Sequence, residues 1–199
     1  ICVSHSTTVA LERYFSAPWQ IIPNGIDTDV FHPSVSAPPA IRKDVPSILF
    51  LGRFDPRNGL TPLIESFRKV KGRGRQAQLV VVGDGPLREH YYKQAAGDKD
   101  ITFVGAVLEG RPSYYAHSSI YACPTTKASF GITLLESMAC ETPIVCSDIL
   151  GFQDVVVNGR EALMHPCGDR DALADCLSDL SWWPAPGYVL LLDHVDDWR

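Results

Sequence analysis

Five short runs in this chain are apolar along nearly their whole length: Ser47–Leu51, Leu79–Val82, Ile101–Val104, Ile120–Cys123 and Ile144–Ser147. Gly52, Gly83, Gly105 and Pro124 stop four of them at once. A strand with one wet face alternates apolar and polar residues, whereas one that is apolar throughout must be covered on both faces. The segments between the runs carry helical periodicity. Leu63, Ile64, Phe67 and Val70 mark a helix over Thr61–Val70, and further helices are expected over Leu87–Ala96, Arg111–His117 and Ile132–Ala139. A short helix over Phe152–Val157 should end at the Asn158-Gly159 turn, followed by a strand at Ala162–Met164. The last helix spans Asp169–Leu180, with Asp169 as its N-cap. The class that satisfies this alternation is α/β, a Rossmann-like parallel sheet with helices on both faces.

Crossovers of one hand place every strand's carboxyl end on the same edge, and ligands of such sheets bind there, near the switch in strand order. The loops to search are therefore 52–59, 83–86, 105–110, 124–131 and 147–151. Ser34–Pro46, with three prolines, reads as a linker. It divides residues 1–33 from a sheet domain over 47–180, which leaves an atypical tail over 181–199. Ile1-Cys2-Val3-Ser4 reads as the end of a buried strand whose earlier part has been removed.

Composition excludes several classes. The chain has 199 residues, 45% of them hydrophobic, and a net charge of -5, so it is neither a disordered chain nor a general nucleic-acid binder. No apolar stretch is long enough for a membrane span. The six cysteines form no C-x-x-C pair, and Cys123 and Cys146 fall inside apolar runs. Reduced thiols in a cytoplasmic protein are expected, with no metal site. Gly83-Asp84-Gly85 lacks the third glycine of a dinucleotide fingerprint, and no phosphate-loop or nucleophile-elbow motif is present.

What remains suits a phosphate. Ser129-Phe130-Gly131 leads straight into a helix, whose free N–H groups and partial positive charge attract anions. Arg53 and Arg57 follow a strand, and Glu136 lies one turn into the same helix. Taken singly, each has a plain alternative: a solvated loop arginine, an exposed glutamate, an ordinary turn.

Together these features resemble glycosyltransferase family 4. Ile22-Pro23-Asn24-Gly25-Ile26-Asp27, with Phe31 and Pro33, is similar to the family's I-P-N-G-V-D…F-x-P segment. Gly52-Arg53 with Gly59 resembles G-R-x(4)-K-G, and Val82-Gly83-Asp84-Gly85-Pro86 resembles V-G-x-G-P. Phe103-Val104-Gly105 matches F-x-G. Phe130-Gly131 through Glu136-Ser137-Met138-Ala139 resembles F-G-x-x-x-x-E-A-M-A, and Asp169 with Ala172-Leu173-Ala174 fits the closing stretch. The wording over Ala128–Glu136 is nearest that of phosphatidylinositol mannosyltransferases.

The resemblance implies half of a GT-B enzyme: the donor-binding domain, with residues 1–33 as the end of a missing acceptor domain. It implies metal-independent transfer of a hexose from a GDP- or UDP-linked donor, with retention. No cofactor beyond the donor is implied. The acceptor, a sugar or a lipid, and any contact with a membrane surface would come through the missing domain, so the fragment alone should be inactive. Arg53 and Glu136 take the catalytic positions, on the diphosphate and the ribose. Gly52, Arg57, Asn58, Gly83, Val104, Gly105, Lys127, Ala128, Phe130, Gly131 and Ile132 complete the donor site, with Val104-Gly105 beside the base.

The chain also departs from the family pattern. Ala128 stands where a sugar-contacting glutamate is usual, and Asn58 where a lysine is usual. Arg57 and Lys127 are the cations that could stand in. Two rival readings follow: a degenerate protein that binds a nucleotide-sugar without transfer, and a nucleotide-sugar 2-epimerase of the same architecture.

Overall fold

The computed structural model describes residues 1–179; the expected tail over 181–199 and the last residue of the final helix lie outside them. Helix α1 (His5–Glu12) precedes the sheet domain, in which strands and helices then alternate: β1 (Ser47–Leu51), α2 (Leu60–Gly72), β2 (Gln78–Val82), α3 (Arg88–Ala95), β3 (Ile101–Gly105), α4 (Arg111–Ala116), β4 (Ile120–Cys123), α5 (Ile132–Ala139), β5 (Ile144–Asp148), α6 (Leu150–Gln153), β6 (Ala162–Pro166) and α7 (Arg170–Ser178). All six strands pair in parallel, in the order β3-β2-β1-β4-β5-β6.

Strand periodicity divides the core in two. Ile48, Phe50, Leu79, Val81, Ile120, Ala122 and Val145 face α2, α3 and α7. Their neighbours Leu49, Val80, Val82, Tyr121, Cys123, Ile144 and Cys146 face α4, α5 and α6. Each inner strand is thus buried from both sides, as its unbroken apolar run requires. Helix α2 forms because Leu60, Leu63, Ile64, Phe67 and Val70 line one stripe, all fully buried. Lys69 and Lys71 in its last turn suit the negative end of its dipole. Helix α7 starts where expected, with the Asp169 carboxylate accepting from the N–H groups of Asp171 and Ala172 at 3.0 Å each.

Two local expectations shift. Helix α6 occupies 150–153 rather than 152–157, because an extended Ile149 starts it early and the Glu161 carboxylate takes the Val157 N–H at 2.8 Å. At the amino end, Cys2 makes a single parallel bridge to Ile21, and Ser4 caps α1 instead of continuing a strand.

Residues 1–46 lie against the sheet domain. Helix α1 packs on α6, with the Ser6 N–H reaching the Asp154 carboxylate at 3.3 Å. Phe31 is buried in the core beneath α4 and α5. The Gln78 side-chain amide exchanges hydrogen bonds with the backbone of Arg42, and His117 Nε2 meets the Val35 carbonyl at 2.7 Å.

Candidate functional site

The strand order reverses between β1 and β4, and a crevice of about 130 Å³ opens at their carboxyl ends. Leu51, Gly52, Asn58, Tyr121, Thr125 and Thr133 line it. Such a switch point is where α/β sheets of this kind receive ligands.

The loops around it approach one another backbone to backbone. The Gly52 N–H donates to Val82 O at 3.0 Å and the Gly83 N–H to Gly105 O at 2.8 Å, which chains the loops after β1, β2 and β3. The Thr126 N–H donates to Arg57 O at 2.7 Å, tying the loop after β4 to the loop after β1. Gly83 has φ 144°, and a Cβ there would stand 1.9 Å from Gly52 O. No L side chain fits such a position without displacing backbone. Gly131, at φ 92°, ends its loop in the left-handed region, with the Phe152 ring 2.8 Å from where a Cβ would be. Fold geometry alone therefore requires a glycine at that helix start.

Every expected site residue sits on this edge or on the first turns of α5, in differing states of engagement. Arg53 and Lys127 are exposed, and among the described residues neither side chain makes a hydrogen bond or ion pair. Arg57 is turned back onto Asp55, with Nε 3.1 Å from the carboxylate, which also accepts the Arg57 N–H. The Arg57 N–H and then its guanidinium, with a smaller effect of the Arg53 charge, hold the Asp55 carboxyl below its usual range. Asn58 donates from its side-chain amide to Arg53 O at 2.8 Å and closes the loop on itself. Ile132 is part-exposed at the start of α5, while Phe130 is buried behind it. Ala128 is half-buried, its carbonyl against Gly151. Val104 packs on the edge of the core, and Gly105 ends β3 at φ 91°.

Glu136 is neither a solvated glutamate nor an empty acceptor. It is 3% exposed, Tyr115 Oη donates to its Oε2 at 2.8 Å, and Arg111 Nη1 lies 3.0 Å from its Oε1. Burial pushes its carboxyl up from the usual carboxylate range, while the Tyr115 hydrogen bond and the Arg111 charge pull it back. Sequence reasoning missed both partners because the contact joins α4 to α5 through space. One signal was available: Arg111 is the first residue of α4, where the dipole disfavours a cation.

The family model for Glycosyl transferases group 1 matches residues 45–181. A phosphatidyl-myo-inositol mannosyltransferase of Mycobacterium leprae is 36% identical over 162 residues, covering 78% of this chain and 42% of that protein. A GDP-mannose-dependent alpha-(1-6)-phosphatidylinositol monomannoside mannosyltransferase of Mycobacterium tuberculosis is 30% identical over 181 residues, covering 83% of this chain and 47% of that protein. Among solved structures, a sucrose-phosphate synthase from Thermosynechococcus elongatus superposes with TM-score 0.82 at 25% identity, over 99% of this chain and 53% of that one. The chain thus spans less than half the length of the curated relatives it matches.

Proposed function

This chain belongs to the group 1 glycosyl transferases, with the fold of one half of a GT-B enzyme, and from that premise we propose that it is the donor-binding part of a hexosyltransferase using GDP-mannose. The observation that carries the reading is the switch-point edge itself. Glycine-tight loops converge there around a crevice, the start of α5 faces the same edge, and the Arg53 and Lys127 side chains make no hydrogen bond or ion pair among the described residues.

In this reading Arg53 and the N–H groups of Gly131 and Ile132 hold the diphosphate, with Lys127 adding a second cation where Asn58 supplies none. Phosphate held by preorganised donors leaves readily as the glycosidic bond of the donor breaks, which is how an edge of this kind promotes transfer. Glu136 receives the ribose, Val104-Gly105 borders the base, and the sugar lies over Ala128. Gly52 and Gly83 keep the loops low enough for the ligand to enter. Retention of configuration, metal independence and an acceptor sugar or lipid at a membrane surface are attributes proposed for the whole protein. Transfer needs the acceptor positioned against the donor, and positioning supplies much of the rate. The choice of GDP-mannose is supported by the donor named for the Mycobacterium tuberculosis relative.

A second reading, binding without transfer, is favoured by Ala128 together with the internal engagement of Asn58. Calorimetric titration of this chain with GDP, UDP and GDP-mannose in the presence of a chelator tests the proposal. We expect binding unaffected by chelator and tighter for GDP than for UDP; loss of all binding in chelator overturns the metal-free handling of the diphosphate. Ala128→Glu should tighten GDP-mannose selectively over GDP. An equal change for both ligands would remove Ala128 from beneath the sugar.

A further inference from the structure

The Ile22–Pro33 segment and Arg111 stand outside the donor-site roles given above, yet they meet beside Glu136. The Arg111 guanidinium lies 5.6 Å from the centroid of Phe31, a ring 7% exposed and itself packed against Tyr115 at 6.4 Å. The same guanidinium reaches Glu136 Oε1 at 3.0 Å. A carboxylate has about four lone-pair sites, two on each oxygen. Arg111 occupies one on Oε1 and Tyr115 one on Oε2, which leaves one acceptor site on each oxygen. That is the complement of a vicinal diol, whose two hydroxyls donate side by side.

We propose that Arg111, braced by Phe31, is the positioning residue that turns the Glu136 carboxylate to receive the two ribose hydroxyls, and so makes the site discriminate ribonucleotides from 2′-deoxyribonucleotides. The proposal rests on the reading that Glu136 binds the ribose. Arg111 is half-exposed and lies over an aromatic face, an arrangement that favours one placement of the planar guanidinium while its other N–H groups stay hydrated. Lysine, a point charge, retains the attraction with less directional control.

The other titratable groups near the carboxylate are Tyr115 on α4, Tyr121 on β4 and Cys140 at the end of α5. Burial holds both tyrosines far above their ordinary range and pushes the Cys140 thiol up to about 12, so all three stay neutral near neutral pH. Arg111 is therefore the charge that opposes the effect of burial on Glu136. Its removal lets the carboxyl take up a proton at higher pH.

The test compares GDP with 2′-deoxy-GDP on the 199-residue chain and its variants, from about pH 8 to about pH 6. The unsubstituted chain should prefer GDP about 10-fold, the worth of one hydrogen bond to a charged acceptor, with little change over that range. Arg111→Met should bring the ratio close to one and make GDP affinity fall as the pH drops. Arg111→Lys should recover most of the affinity and its flat pH profile. Phe31→Leu, which leaves the guanidinium but removes the ring beneath it, should lower the ratio less, and it decides the matter if Arg111→Met does not fold. Equal binding of both nucleotides by the unsubstituted chain, unaltered by Glu136→Gln, overturns the ribose reading and the inference with it. Normal discrimination that Glu136→Gln abolishes, while Arg111→Met and Phe31→Leu leave it and the pH profile intact, overturns the positioning role alone.

Discussion

The two edges of the sheet hold their loops together in different ways. At the amino ends of the strands, Lys71 bridges Asp98 at 2.8 Å and Asp100 at 2.6 Å, while Arg42 bridges Asp44 and Asp100. These five charges meet one another. At the carboxyl ends, Arg53 and Lys127 have no such partner among the described residues, and the loops hold together by backbone hydrogen bonds instead. Side-chain ion pairs at a surface tolerate replacement because water and salt already screen them. Backbone packed against backbone leaves no slack. The carboxyl edge thus keeps its shape largely through backbone contacts, and although Arg57 and Arg88 there are paired with Asp55 and Asp84, Arg53 and Lys127 stay clear of ion pairs among the described residues and are left for an anionic ligand.

The most severe way to break this comparison is to add a methyl group. Gly83→Ala would drive a Cβ to 1.9 Å from Gly52 O at a positive φ, and should destabilise the chain by about 3 kcal/mol or more in urea unfolding. Gly97→Ala meets nothing within 4 Å and bears only its positive φ, so about 1–2 kcal/mol is expected. Equal losses at the two positions would mean that the carboxyl-edge loops are less tightly stitched than they look.

A second probe sharpens the electrostatic half of the contrast. Arg53→Ala should weaken GDP binding about 10- to 100-fold, equivalent to about 1.5–3 kcal/mol, with melting little changed. Lys71→Met should do the reverse, leaving GDP binding intact and lowering stability by about 1 kcal/mol, less in high salt. A GDP affinity that depends on Lys71 would place the phosphate at the wrong edge.

The smallest expected effect concerns pH. His165 on β6 is 2% exposed, its Nε2 has no hydrogen-bond partner, and burial lowers its pKa from 6.5. A group whose folded pKa is depressed contributes stability above its unfolded pKa and loses it as the pH falls. Stability should therefore decline below about pH 6.5 through this residue, and His165→Gln should flatten that decline in unfolding measured at several pH values. An unchanged acid limb in the variant would assign the loss to other groups.

Much of the fold was legible in the sequence because burial on both faces writes itself as continuous apolar runs, and Asp169 marked its helix by chemistry alone. The start of α6 was not, since it depends on an extended Ile149 and on Gly151 packing against the backbone of Ala128 in the loop that ends at Gly131. At the candidate site, Arg53, Asn58 and Gly131 were found from loop position and motif. Their differing engagement was not, because the turn of Arg57 onto Asp55 and of Asn58 onto Arg53 O is settled by loop geometry. The Arg111–Glu136–Tyr115 contact lay furthest from view, because it joins two helices that only the folded sheet brings side by side.

The strand order also governs how the chain can be assembled during synthesis. Strand β1 receives β2 early, but its other side must wait until Ile48 and Leu49 can pair with Ile120 and Tyr121. Until then a growing chain carries a bare, apolar strand edge, the kind of surface on which nascent chains stick to one another. The seam that ends as the ligand crevice thus closes only after β2 and β3 have been made. Slowing the ribosome between Gly105 and Ile120 would lengthen that exposure, and yield during expression should then depend on translation speed and chaperone supply more than on the stability of the finished fold.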